Sequence, residues 1–406
     1  MRRKMNLIGA VAMLVLVATA AGATQRSADP GVAKNSILIG GTYPLSGEAA
    51  AYGVIPKAIN AYFEYFNSRS SIHKRKIKWK YYDDQYDPSQ TVPQTRRLVE
   101  QDHVFAIFDT LGTATNLAIR PYLNSRKVPQ VLLATGSVFW GSEYKKYPWT
   151  IGYIPDYIGE GKFYGRYIKS HVKGFTIGIL AQNDEYGDNY IKGLQLGLGK
   201  GKSKIVAIQR YDVTDATVAP QMAKLKGSGA NVFVDFATPK ASIQALILRD
   251  KLGWKAAVVI NSVSASPTYM NLVKTAAGPD SIEGAISDSY LKDPTDPAQA
   301  KDPGVKLFRS IMKKYFPNGN QNDAFNMFGM SVAWTVVYAL QHSGKTPTRK
   351  SFMKALVHMN TAKNPFLLKG IGVKTTPRDH FPIQAIIGIR WHGTYWHRFG
   401  KMQRWH

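Results

Sequence analysis

Cysteine is absent from all 406 residues. This excludes disulfide frameworks, thiol nucleophiles, iron–sulfur clusters and cysteine-ligated zinc, whatever compartment the chain occupies. Acids are scarce: 27 Asp and Glu face 53 Lys and Arg, a formal charge of +26. Beyond the first segment no stretch reaches the roughly 18 uncharged apolar residues of a membrane-spanning helix. The sequence also lacks a Gly-x-Ser-x-Gly elbow, a Walker phosphate loop, a His-Glu-x-x-His helix and a dinucleotide fingerprint; Gly197, Gly199 and Gly201 are close together but wrongly spaced for the last of these. Ser-x-x-Lys occurs at Ser71, Ser170 and Ser351 without its partner motifs. The nine histidines are scattered, and the adjacent acids Asp83-Asp84 and Asp184-Glu185 sit at strand ends, where carboxylates commonly cap or meet solvent. No enzyme, cofactor or metal is expected.

What is present is a chain with 44% apolar and 12% aromatic residues, enough for large cores and too long for one. Its first segment is an address. Arg2, Arg3 and Lys4 precede an apolar run from Leu7 to Ala21 that ends in Ala21-Gly22-Ala23. At about 15 residues the run is short for a membrane span and suits a secretory signal cleaved after Ala23. The mature protein, with charge reduced to +23, is expected in the periplasm. A positive excess of this size suits nucleic acid, an anionic membrane or an acidic ligand. Its densest run, His73 to Lys80, alternates Lys76, Lys78 and Lys80 with Ile77, Trp79 and Tyr81, the period of an edge strand with one wet face. Elsewhere the cations are dispersed with no base-reading motif, which argues against nucleic acid.

The rest repeats a short apolar strand, a turn and an amphipathic helix, so the fold class is α/β with parallel central sheets. Expected strands are 37–42, 77–83, 104–108 and 130–134, then 175–181, 205–211, 232–236 and 257–260. Two runs of four imply two lobes, with the chain crossing near 149–160 and again near 292–297. After the first strand Tyr52, Ile55, Ile59, Tyr62 or Phe63, and Phe66 recur at helical spacing and read as core. Pro56 and Pro93 are tolerable only in the first turns of their helices. The loop Asp109 to Thr115 is the most informative. Gly112 lets backbone approach a ligand, Thr113 or Thr115 can cap, and the following helix start offers free N–H groups to a carboxylate. The turn Ala134-Thr-Gly-Ser137 is similar and lies at the same end of the sheet, where open parallel sheets bind ligands.

These residues resemble the type I periplasmic solute-binding proteins of ABC importers, in the leucine/isoleucine/valine-binding branch. Carrying the resemblance are Pro44-Leu-Ser-Gly47 with Tyr52-Gly53, Asp83-Asp84 with Asp87-Pro88, Arg97-Leu-Val-Glu100, Leu111-Gly-Thr113, Val128-Pro129 and Asn183-Asp-Glu-Tyr-Gly187. The resemblance spans Ile37 to Phe399. It implies two Rossmann-like lobes joined by three crossings: 36–154 with 288–364, and 155–287 with 365–406. It further implies a monomer that closes on its ligand and meets the permease and ATPase subunits of an importer. Leu111, Gly112 and Thr113, with Thr135, Gly136 and Ser137, would hold a ligand carboxylate from lobe one. Tyr52 and Tyr186 would wall the cleft, and Phe236, Ala237, Asn261 and Ser262 would close its far end.

One departure bears on the ligand. Amino-acid binders of this branch place an acid in the last of these loops for the α-ammonium, but no Asp or Glu lies between Lys251 and Pro279. A buried ammonium without counter-charge costs several kcal/mol. Unless Asp184 or Glu185 swings in, the expected ligand is a small aromatic or apolar organic acid without an amine. The alternatives are a branched-chain amino acid or an amide in the same fold, a sensing module for a receptor, or a secreted hydrolase.

Overall fold

In the computed structural model, residues 29–405 are described, and the expected signal segment lies outside them. The first sheet grows from β1 (Ser36–Tyr43), α1 (Ile55–Arg69), β2 (Lys76–Asp83), α2 (Pro88–Arg96), β3 (Ile107–Phe108), α3 (Thr113–Ser125), β4 (Gln130–Leu133), α4 (Phe139–Ser142) and β5 (Thr150–Gly152). The second begins with α5 (Tyr157–His171), β6 (Ile177–Gln182), α6 (Glu185–Leu198), β7 (Ile205–Tyr211), α7 (Ala219–Gly227), β8 (Val232–Phe236), α8 (Pro239–Lys251), β9 (Ala257–Ile260), α9 (Pro267–Ala277) and β10 (Ile286–Ser289). The chain then returns as α10 (Pro303–Tyr315), α11 (Ala324–Gln341), α12 (Arg349–Leu356), β11 (Asn360–Thr361) and β12 (Val373–Lys374). It closes on the hairpin β13 (Ala385–His392) and β14 (Tyr395–Arg404). None of the described helices is long and apolar enough to cross a membrane.

All eight expected strands form. The five strands of the first sheet run β2-β1-β3-β4-β5 and are parallel. The lysine-rich β2 is an edge strand, as its alternation requires: Lys76 and Lys78 are exposed and Ile77 is buried. The second sheet runs β14-β13-β10-β9-β8-β6-β7, parallel except for β13 and β14, which pair antiparallel. Sequence alternation did not identify that hairpin, although Gly393 at φ +63° marks its turn. In both sheets the strand order reverses beside the first strand of the run. The loops leaving the carboxyl ends of neighbouring strands therefore part and leave a crevice.

Pro56 lies in the first turn of α1, as expected. Pro93 does not: Asp87 caps α2 by accepting from Ser89 N (2.8 Å), which starts the helix early and leaves Pro93 in its interior. The helix then widens into a π turn over Arg97–Gln101. Thr113 and Thr115 do not cap α3 either. The N-cap is Gly112, while the Thr115 hydroxyl turns back to the Leu111 carbonyl (2.5 Å).

The chain crosses between sheets after Gly152 and after Ser289, and it returns to the second sheet only at Ala385. The second crossing pairs with the third, through Lys292 N to Phe366 O (2.9 Å) and Leu368 N to Tyr290 O (3.0 Å). Residues past 365, expected to open lobe two, first stay beside lobe one. There Thr375 bonds Leu356 O and Met359 N, and the His380 ring packs on Tyr144.

Lobe two rests on the contact between α5 and α6. Gly161 and Gly165 face Gly193 and Gly197 so closely that a Cβ on Gly197 would meet Lys162 O at 2.3 Å, and one on Gly165 would meet Leu194 O at 2.4 Å. Backbone cannot yield as a side chain can. Gly197→Ala is therefore expected to cost about 1–3 kcal/mol in urea unfolding. Gly227→Ala, at the end of α7 with nothing within 4 Å of its added Cβ, should gain about 0.5–1 kcal/mol.

Candidate functional site

The two crevices face each other and enclose a cavity of about 120 Å3. A single water needs roughly 10–15 Å3 by the same measure, so the space suits a small organic molecule. Its walls come from both lobes and are mostly apolar. Tyr52, Tyr86, Leu111 and Gly112 contribute from lobe one; Tyr157, Tyr186, Thr238, Ser262 and Asp288 contribute from lobe two.

On the lobe-one side, Gly112 has φ +101° and ψ 149°, and no side chain caps the helix it begins. The first N–H groups of α3 have no acceptor within the helix, so this end favours an anion. Thr113 is buried beneath, its hydroxyl bonded to that of Thr135 (2.7 Å). Gly136 and Ser137 serve the protein itself. Tyr157 N donates to Gly136 O (2.8 Å), a Cβ on Gly136 would strike Pro155 O at 2.3 Å, and Ser137 bonds Asn189 of α6. This second turn is thus packed under the first crossing, and Leu111 and Gly112 are what it leaves at the cavity.

Tyr86 was not anticipated. Gln85 and Tyr86 both have left-handed backbones, φ +54° and +63°, a conformation that is costly for a bulky residue. The acids around them hold it in place: Asp83 accepts from Gln85 N (2.9 Å) and Leu45 N (2.9 Å), and Asp84 accepts from Tyr86 N (3.0 Å) and Thr91 (3.0 Å). The turn drives the Tyr86 ring against Gly112, where an added Cβ would come within 2.6 Å of it, and its hydroxyl bonds Gln182 of lobe two. The acid-rich run between Asp83 and Asp87 was the available signal. Burial pushes Asp84 up to about 6.

On the lobe-two side, Asp184 caps α6 through Tyr186 N (3.0 Å) and Gly187 N (3.3 Å), so it is committed and does not swing into the cleft. Tyr186 lines the cavity and donates to Ala237 O (3.2 Å). That carbonyl also accepts from Asn261 Nδ2 (2.9 Å) and Ser264 Oγ (2.6 Å). Asn261, fully buried, spends its amide donors on Asp235 O and Ala237 O and so ties β8 to β9 behind the wall. Phe236 is also core, stacked on Tyr190 at 4.7 Å. Of the four residues expected at the far end, Ser262 alone is among those lining the cavity.

The acids missing from the loop after β9 enter from elsewhere. Asp288, on β10, is 2% exposed and lines the cavity; Glu160, in the first turn of α5, is 1% exposed. The Tyr164 hydroxyl lies 2.7 Å from Glu160 Oε1 and 2.6 Å from Asp288 Oδ2, and Ser262 N donates to Glu160 Oε1 (2.9 Å). Burial raises both carboxyls; the charge of Glu160 raises Asp288 further, while hydrogen bonds, among them one with Asp288, partly offset the rise at Glu160. The sequence argument for a ligand without an amine rested on the stretch between 251 and 279, and the fold removes that premise. Among the described residues no group of three or more His, Asp or Glu could hold a metal.

Two doubly wound lobes, joined by three crossings and closing on a cavity walled by both, define a ligand-capturing protein of the bilobal type. The periplasmic binding protein family matches residues 36–394, and the chain belongs to it. The chain is similar to the Leu/Ile/Val-binding protein of Escherichia coli (strain K12), 25% identical over 160 residues, which cover 39% of this chain and 43% of that relative. Among solved structures, a branched chain amino acid ABC transporter protein from Thermus thermophilus with bound valine superimposes with a TM-score of 0.78 at 16% identity, covering 91% of this chain and 96% of that one. A fatty acid ABC transporter substrate-binding protein from Thermomonospora curvata gives 0.73 at 18% identity, covering 93% and 94%. At these identities the agreement is one of fold. The family is one of binding proteins, not enzymes.

Asp235 anchors the Asn261 layer, accepting from Ala237 N (3.1 Å) and Ser242 Oγ (2.5 Å), and burial pushes it up to about 7. Its folded form therefore holds a proton that the unfolded chain releases near pH 4. That contribution to stability is present in acid and declines as pH rises from about 4 to about 7, by at most about 1.4 kcal/mol per unit. Asp235→Asn lacks this titration. Its stability relative to the natural protein should rise across that window and level off above it, as read by chemical unfolding at a series of pH values.

Proposed function

We propose that the protein is the exported substrate-binding subunit of an ABC importer and captures a small carboxylate with an apolar or aromatic body between its lobes. The observation that carries this reading is the uncapped start of α3 at Gly112, opening on a cavity that both lobes wall with tyrosines. A carboxylate at that helix end meets unpaired N–H groups and the positive end of the helix dipole. The rings of Tyr52, Tyr157 and Tyr186 offer the ligand body a broad apolar face with polar tips. Lobe closure needs contacts from both sides, which the split lining supplies. Relatives of similar fold are described as binding valine and as serving fatty acid transport; an apolar body joined to a carboxylate is common to both. The reading of residues 1–23 as a cleaved leader supports a site outside the cytoplasm that faces a permease.

The test is thermal unfolding of the mature protein with branched-chain and aromatic carboxylates, each beside its neutral amide. Carboxylates should raise the melting temperature, equivalent to about 2.7 kcal/mol at a hundred times the dissociation constant, and the amides should not. Gly112→Ala should abolish the response, because the added methyl meets Tyr86 and Thr115 at 2.6 Å and the backbone resists φ +101°. Equal response to acids and amides would refute the anion site.

A further inference from the structure

Lobe two has an end that the cleft does not use. The loops leaving the carboxyl ends of its parallel strands face the cavity, whereas the segments entering their amino ends, 169–176, 199–204, 224–231 and 250–256, lie at the opposite end of the sheet. These four segments stand side by side. Asn231 Nδ2 donates to Gly174 O (3.1 Å), Ala257 N donates to Asn231 O (2.9 Å), and a Cβ on Gly201 would meet the Phe175 ring at 3.0 Å. Each segment carries two or three exposed lysines, nine in all, against a single acid, Asp250. Cations in the last turn of a helix answer its dipole. Lys173, Lys200 and Lys255 lie past the ends of α5, α6 and α8, so the dipoles do not account for the whole set.

Beside this cluster the surface turns apolar. Arg210 of β7 pairs with Asp188 of α6 (2.5 Å), so Val206 and Ile208, which share its face of the strand, lie on the α6 side of the sheet. Because α6 runs back along β7, its later residue Leu196 comes toward Val206. Leu196, Val206 and Ile208 are 54%, 46% and 38% exposed, three of the five large aliphatic side chains exposed among the described residues. β7 is the edge strand, so no further strand extends the sheet beyond them. The matching end of lobe one is basic too, but Glu100 and Asp102 stand in it and none of the five exposed aliphatic residues does.

We propose that this end of lobe two docks on an anionic lipid bilayer, the lysines meeting headgroup phosphates and Leu196, Val206 and Ile208 reaching the edge of the acyl region. Charge complementarity selects the occupant. A second copy would set the same nine lysines against these and be repelled. An acidic protein would answer the charge alone, whereas a bilayer answers both features: its negative surface attracts the lysines, and its acyl boundary receives the aliphatic side chains and the lysine stems. Docking of this kind is peripheral. It leaves the cleft, at the other end of lobe two, free of the membrane, and it does not depend on which ligand the cleft takes.

The experiment is flotation of residues 24–406, which hold every described element, with vesicles of phosphatidylcholine alone or with about one-third phosphatidylglycerol. The protein should float with the anionic vesicles only, and less as salt rises from about 50 to about 300 mM. Replacing Lys200, Lys202 and Lys204 together by alanine should weaken binding by about a hundredfold. Lys78→Ala, Lys145→Ala and Lys146→Ala, three exposed lysines of lobe one, remove the same charge and should cost less than about threefold. Leu196→Gln with Ile208→Thr keeps the charge and should cost about fivefold or more. The urea midpoint of each variant, unchanged from the natural protein, shows that it is folded. Absence of flotation, or equal losses in the two lysine triples, would overturn the inference. Binding that ignores Leu196→Gln with Ile208→Thr would overturn the apolar contact, and self-association that these variants abolish would assign the face to a second copy instead.

Discussion

The hydroxyl of Tyr52 is buried in lobe one and donates to the carbonyl of Val263 in lobe two (3.1 Å). Much of the cleft depends on the constraint behind that bond. A buried polar group must find a partner, and here the nearest partner is often across the gap. Tyr269 reaches back to Ala51 O (3.1 Å), and Tyr86 reaches Gln182. Val138 N donates to Asn189 Oδ1 of α6 (3.0 Å). Tyrosine suits this use because its ring seals the apolar wall while its tip bonds the other side. Directional bonds around the cavity thus join two lobes whose buried apolar residues also form one continuous cluster.

The same constraint explains where the few acids go. Asp87, Asp156, Asp184, Asp302 and Asp323 each accept backbone N–H groups at the start of a helix. Asp84, Asp109, Asp235, Asp288 and Glu160 are buried. Several of the few acids are thus withdrawn into the interior of a chain in which cations outnumber acids by 53 to 27. An excess of positive charge of this kind draws small anions toward a protein's surface.

Much of the fold was legible before any coordinates. Strand positions follow from short apolar runs between turn residues, and the wet edge of β2 follows from alternating lysines. Both are local patterns with a fixed period. The lobe-one half of the site was legible for the same reason, since Gly112 and the helix start after it are adjacent in sequence. The far end was not. Asn261 and Ala237 sit in the loops where ligand contacts were expected, yet the Asn261 amide donors and the Ala237 carbonyl are consumed within the wall, the carbonyl also by Ser264 and Tyr186, a competition that only neighbouring strands reveal. Pro93 was misplaced because a cap six residues ahead, at Asp87, moved the helix start.

The sequence by itself determined what its local chemistry can express: an α/β chain without thiols, alternating strands and helices, and one glycine turn at the start of a helix. The tertiary structure alone decided which acid stands at the cavity wall. Glu160 and Asp288 are 128 positions apart and become neighbours because α5 packs its Tyr164 against β10, an outcome set by strand order and by the glycine contact of α5 with α6. Charge acts through space. An absence counted along one loop could not show what a distant strand would bring to the same wall.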